Sequence, residues 1–101
     1  MFYIFEVIDK KSKLVYLTKE RWSHIIKEHP IINNKIEDIK ETLKNPLAIR
    51  EGTRDHNTLL YYKYYKNIKQ KKKYLLVIVK YLNGKGFIVT SFYINKIKGL
   101  K

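Results

Sequence analysis

No cysteine occurs in this chain, so neither a disulfide framework nor a thiolate metal site is open to it. The two prolines and four glycines form no linker-like stretch, and no internal repeat or domain boundary appears. A length of 101 residues then leaves room for one domain with one core. No apolar run approaches the roughly 20 residues that span a bilayer, so no membrane partner is expected. The opening MFYIFEVIDK has no basic region followed by a long apolar one, and no secretory signal is expected from it. Together with the missing cysteines, this fits a cytoplasmic protein.

Acidic residues are scarce as well: 9 Asp+Glu stand against 22 Lys+Arg, a formal net charge of +13. The few carboxylates are scattered. There is no HExxH, and no carboxylate pair stands with a histidine at ligand spacing, so no metal or other cofactor is expected. Gly84-Lys85-Gly86 reads as part of a hairpin rather than a phosphate-cradling loop. No nucleophile elbow is present for a Ser/His/Asp hydrolase.

What is abundant is lysine, with hydrophobic residues at 45% and aromatics at 14%, enough to fold without a metal. A strongly positive field attracts polyanions, and nucleic acid is the commonest of these in cells. The same excess of lysine, isoleucine, asparagine and tyrosine also arises from an AT-rich genome, and lysine-rich surfaces suit thermophiles. Arginine occurs only at Arg21, Arg50 and Arg54. Lysines act as point charges, so the electrostatics alone predict non-specific, salt-sensitive binding to phosphates.

The periodicity predicts the order ββααββββ. Residues 2–8 and 14–17 form a short hairpin across a turn at 9–13. A helix covers 19–29, with Thr18 as its N-cap and Pro30 as its stop. Trp22, Ile25, Ile26 and His29 share one side of it. Asn34 and Glu37 have the residue types of a capping box for a second helix, whose inner face carries Ile36, Ile39, Leu43 and the stem of Lys40. Asn45-Pro46 ends that helix. Strands follow at 47–51, 59–66, 73–82 and 87–95. A loop fills 52–58, a basic turn 67–72, and hairpin residues 83–86. The strand at 73–82 is the most apolar and is placed centrally. Strands joined by tight turns are antiparallel neighbours. The expected fold is therefore α+β: two N-terminal helices packed on a twisted four-stranded antiparallel sheet, plus the short N-terminal hairpin. A short basic tail ends the chain.

With metal chemistry set aside, the residues on offer for general acid–base chemistry are His24, His29, His56, Glu28, and the lysines, arginines and tyrosines. His24 and His29 stand five residues apart, about 140° around a helix, so they cannot share a face. RNA is the polyanion for which such groups suffice. Its 2′-OH is an internal nucleophile, so cleavage needs a base, an acid and cations over the phosphorane-like transition state. Residue chemistry leaves each role open. His29 also suits the C-terminal dipole of its helix, and Arg50 is either a solvated edge residue or a phosphate clamp. His56 fits a polar turn. Thr90 and Ser91 face opposite sides of the last strand by alternation. The tyrosines at 61, 62, 64 and 65 are β-formers that can also stack bases.

The series LTKERWSHIIKEHP, a second helix ending at Asn45-Pro46, the Ile49-Arg50 strand, then YYK, YLLVIVK and IVTSFYIN resembles the phage-type BECR (barnase–EndoU–colicin–RelE-like) nucleases. The resemblance runs over about residues 17–98. It implies two helices followed by a four-stranded antiparallel sheet, and a metal-independent endoribonuclease in a phage or toxin setting. It further implies an antitoxin or immunity protein as a partner. It assigns active-site roles to His24, His29, Arg50 and Thr90. In that reading His29 is general base or acid, Arg50 the transition-state cation and Thr90 the group that orients the phosphate. His24 is a second proton carrier or an orienting group. Lys63 and Lys80 match more weakly and, with Lys71, Lys72, Lys73 and Arg54, are expected to contact RNA, whether tRNA, mRNA or ribosomal RNA. Two further readings stand beside it: a non-catalytic nucleic-acid-binding module of the same fold, and a basic protein-interaction domain.

Overall fold

The computed structural model describes residues 3–66 and 71–98. Much of the basic turn expected at 67–72, and the end of the basic tail, lie outside them. The element order is β1 (Tyr3–Ile8), β2 (Leu14–Thr18), α1 (Lys19–Glu28), a 3-10 turn (Pro30–Ile32), α2 (Ile36–Lys44), β3 (Ala48–Glu51), β4 (Thr58–Tyr64), β5 (Tyr74–Leu82) and β6 (Lys85–Ile94).

β1 and β2 form an antiparallel hairpin. Its turn is fastened by Asp9, whose Oδ1 accepts the backbone N–H groups of Lys11 and Lys13, both at 2.9 Å. Thr18 ends β2 and opens α1 at once. Its backbone is extended, and its hydroxyl accepts the Arg21 N–H at 3.1 Å, the N-cap arrangement its sequence position predicts. At the other end the His29 N–H still reaches the Ile25 carbonyl, and Pro30 diverts the chain into the 3-10 turn. That turn seats Ile32 fully in the core.

The start of α2 differs from the capping box expected at Asn34. Lys35 occupies the N-cap and no side chain caps the helix. The preceding 3-10 turn uses up Asn33, whose N–H bonds to Pro30, and the Lys35 N–H bonds to Ile32. Asn34 is thereby held one position too early. Glu37 and Asp38 in the first turn supply the negative charge that the helix dipole favours.

All six strands belong to one sheet in the order β1-β2-β6-β5-β4-β3. β3 to β6 form an antiparallel run, as their turns dictate. The sheet nonetheless differs from the four strands plus separate hairpin that were expected. β2 joins it by pairing parallel to β6, Leu14–Tyr16 against Lys85–Phe87, which makes a six-stranded mixed sheet. Each strand has an open edge after its own hairpin forms, and pairing the two satisfies backbone groups that would otherwise stay bare.

β5 and β6 turn through Asn83 and Gly84, both at positive φ (55° and 81°), the two-residue geometry that Asn-Gly favours. Beyond the turn, Val79 pairs with Ile88 but Ile78 with Thr90, leaving Val89 as the extra residue of a bulge. The bulge resets the alternation. Ile88 and Ser91 face the helices, while Phe87, Thr90 and Phe92 face the open side.

Both helices pack on one face, where Ile25, Ile32, Ile39 and Leu43 meet Val15, Leu17, Val77 and Ile88. Within that core Asp9 is only 5% exposed. Its Oδ2 accepts the Tyr61 hydroxyl at 3.0 Å and the Tyr81 hydroxyl, tying the first turn to the centre of the sheet. A smaller cluster on the opposite face buries Tyr62, Leu76 and Ile97, with Leu60, Ile78 and Phe92 around them. No helix among the described residues is long and apolar enough to cross a membrane.

Candidate active site on the open face of the sheet

The pairing of β2 with β6 stops at Phe87, because Thr18 turns the chain into α1. The rest of β6 is left without a strand on that side, and α1 lies beside it instead. His29, at the C-terminal end of α1, therefore reaches the β6 side chains. Its imidazole stacks on Phe92, with ring centroids 5.0 Å apart and planes 24° from parallel. Glu28, His29, Pro30, Ile31, Lys72, Phe92 and Tyr93 line a concavity of about 330 Å³ at this edge. An imidazole, a carboxylate and an ammonium thus share one hollow.

Thr90 lies two residues before Phe92 on the same face. Its Oγ1 is buried and has no hydrogen-bond partner among the described residues, and the same holds for the Tyr93 hydroxyl. Burial, with the nearby Asp38 charge and Tyr65 adding to it, pushes the Tyr93 hydroxyl up to about 12. Ser91, between them, faces the helices and donates to the Leu76 carbonyl at 2.8 Å.

Arg50 shares a cross-strand row with Thr90, since Thr90 pairs with Ile78, Ile78 with Leu60 and Leu60 with Arg50. Three strand spacings of roughly 4.8 Å put them about 14 Å apart along the backbone. The guanidinium is occupied there: Nε donates to the Lys98 carbonyl at 3.1 Å and Nη1 to the Ile49 carbonyl at 3.0 Å. Lys98 answers with its own ammonium, which donates to the Glu51 carbonyl and the Thr53 hydroxyl. Arg50 is on the expected face but at its far margin.

His24 is not brought to this site. It is exposed and lines a separate depression on α1 with Glu20, Ser23 and Lys27, as its angular offset from His29 requires. His56 is exposed as well, with Nδ1 3.1 Å from the Glu51 carboxylate.

The expected RNA-contacting cations divide by location. Lys72 lines the His29 hollow, and Lys71 beside it is exposed. Lys73 is half-buried, and its carbonyl accepts the Tyr65 N–H at 2.8 Å. Lys63 is turned to the helix side. There it donates to the Asn45 carbonyl at 2.8 Å and lies 3.9 Å from Glu41, at the C-terminal end of α2. Lys80 faces the open side but pairs with Asp55 at 2.7 Å, and this bond holds the Asp55 carboxyl below its usual range. Arg54 is exposed in the turn before β4.

Sequence reasoning placed Glu28 among the proton carriers but not at the site, and it missed Phe92 and Tyr93. The signal for them was the bulge at Val89 together with the early end of β2, both set by non-local pairing. Among the described residues no three His, Asp or Glu side chains are grouped to hold a metal ion. Comparisons with family models, with curated proteins and with solved structures gave no match.

Proposed function

We propose that this protein is a metal-independent endoribonuclease of the phage-type BECR kind, and that the hollow around His29 is where RNA is cut. The observation that carries the reading is the imidazole fixed against Phe92 beside Glu28 and Lys72. In the reaction a base takes the proton of the ribose 2′-OH and the freed oxygen attacks the adjacent phosphorus. The bond to the 5′-oxygen then breaks as an acid delivers a proton to it. The products are a 2′,3′-cyclic phosphate and a 5′-OH. His29 and Glu28 are the two groups placed to share these proton transfers. Lys72 supplies positive charge to the phosphorane-like state, and the Thr90 hydroxyl, unpartnered but buried, orients the phosphate only once the bound strand uncovers it. The sequential pattern of two helices followed by the antiparallel run β3–β6 supports the BECR assignment. That assignment carries with it a cytoplasmic toxin with an antitoxin or immunity protein as partner.

The test is incubation of purified protein with total RNA in EDTA, followed by mapping of the ends. Cyclic-phosphate and 5′-OH termini are expected from the wild type, and none from His29→Ala, which should still bind RNA. A requirement for added Mg²⁺ would overturn the mechanism.

A second reading, an RNA-binding module without cleavage, is favoured by one observation. The Arg50 guanidinium is already engaged by the Lys98 carbonyl, three strands away from Thr90. It predicts binding that weakens steeply with salt and intact RNA under every condition.

A further inference from the structure

A second cleft opens at the other end of α1, where β2 and β6 part. It has a volume of about 190 Å³ and is lined by Tyr16, Thr18, Glu20, Arg21, Phe87 and Ile88. One wall is aromatic. Tyr3, Tyr16 and Phe87 stand on three adjacent strands, with centroids 4.7 Å and 6.3 Å apart and planes tilted by 31° and 38°. The opposite lip carries an exposed carboxylate, Glu20, and an exposed guanidinium, Arg21. Neither side chain forms a hydrogen bond or ion pair with another described residue, and the Arg21 N–H is capped by Thr18. A cleft lined by aromatic rings, an unpaired acceptor and an unpaired donor fits a planar heterocycle with hydrogen-bonding edges.

The spacing from the His29 hollow agrees with this. The ten residues of α1 span about 15 Å at 1.5 Å each. The five steps from Phe87 to Phe92 cover about 16 Å at 3.3 Å per residue. The two hollows thus lie at the two ends of one helix along one strand, within reach of a short run of nucleotides.

We propose that this cleft is a nucleobase-binding subsite for single-stranded RNA, an inference that rests on the RNA reading above. The base stacks on one of the Phe87 and Tyr16 rings and meets the other, tilted by 38°, at its edge. The Glu20 carboxylate accepts from the exocyclic amino group of adenine, cytosine or guanine, and Arg21 meets the flanking phosphate. Uracil has no amino group, so it is the disfavoured base.

The experiment measures fluorescence anisotropy with labelled 2′-O-methyl octamers of A, C and U, which cannot be cut by 2′-oxygen attack, at fixed salt in EDTA. The wild type should bind A and C octamers more tightly than U. Phe87→Leu and Tyr16→Leu should weaken binding of all three by about 5- to 150-fold, the range of one lost base stack. Glu20→Gln should erase the preference against U while leaving stacking intact. Glu20 is exposed, so that variant keeps the test valid should an aromatic replacement fail to fold. Equal affinity for the three octamers, unaltered by Glu20→Gln, would overturn the subsite. No binding of any octamer by the wild type would instead overturn the RNA reading itself.

Discussion

The imidazole of His29 lies nearly flat on the ring of Phe92, 5.0 Å between centroids. The contact favours this orientation of the ring, so the last strand shares in setting it with the helix that bears it.

In the proposed nuclease this stack would make Phe92 a positioning residue. Removing the imidazole by His29→Ala is expected to lower cleavage by about 10²- to 10⁴-fold, the usual worth of a general acid or base. Phe92→Leu keeps the apolar contact but not the flat surface, and should lower kcat by roughly tenfold or more through misplacement. KM should change less. Single-turnover rates on a defined oligonucleotide separate the two effects.

Lys72 and Lys80 are both lysines expected at RNA, yet they should behave differently. Lys72 lines the hollow, whereas Lys80 already pairs with Asp55 at 2.7 Å. Lys72→Ala is expected to reduce the log–log salt slope of single-stranded RNA binding by about 0.7, one phosphate's share. Lys80→Ala should reduce it by clearly less. Titrations across a series of KCl concentrations give both slopes.

Asp9 accepts two tyrosine hydroxyls in the core and two backbone N–H groups in the first turn. The two hydroxyls lie 2.6 Å apart, so in Asp9→Ala one can still donate to the other; one buried donor is stranded, at about 1–3 kcal/mol, and two turn bonds are lost, at about 0.5–1.5 kcal/mol each. Urea unfolding should show a loss of about 2–5 kcal/mol. Tyr61→Phe, which removes a donor and strands none, should cost clearly less.

Tyr65 and Tyr93 are each raised to about 12, chiefly by burial. The unfolded chain ionises its tyrosines near 10, while the folded chain keeps these two protonated. Above pH 10 the folded state therefore binds more protons, and their contribution to stability falls as pH rises from about 10 to about 12. The Tyr93 hydroxyl has no partner among the described residues. Tyr93→Phe should be close to neutral in stability at pH 7 and should flatten the alkaline loss. Thermal melts of both proteins at pH 7, 10 and 11.5 measure the difference; equal alkaline losses would contradict the assignment.

The sequence was most legible where structure is local. Thr18 as a cap, Pro30 as a stop and Asn83-Gly84 as a hairpin act through their own backbone preferences, and each is found where those preferences put it. The opposed faces of Thr90 and Ser91 followed from alternation. Which face each takes did not, because the extra residue at Val89 decides it and no residue type announces a bulge there. Asn34 has the right chemistry for a cap but loses the position to Lys35, once Ile32 is drawn into the core. The parallel contact of β2 with β6 has no short-range signature at all. The candidate site depends on that contact, so the two histidines of α1 and its cap could be separated from sequence spacing, but the partners of His29 could not be named.

The same contact has a consequence for assembly. The first hairpin and the last strand meet inside the sheet, with Leu14 beside Lys85 and β3 left at the rim. The last strand is thus interior, and β1 and β3 form the two margins. The sheet cannot close until β6 has been made, and such long-range closure is the slow kind of folding step. Loss of β6 would not trim an edge but divide the protein into two unconnected pieces of sheet.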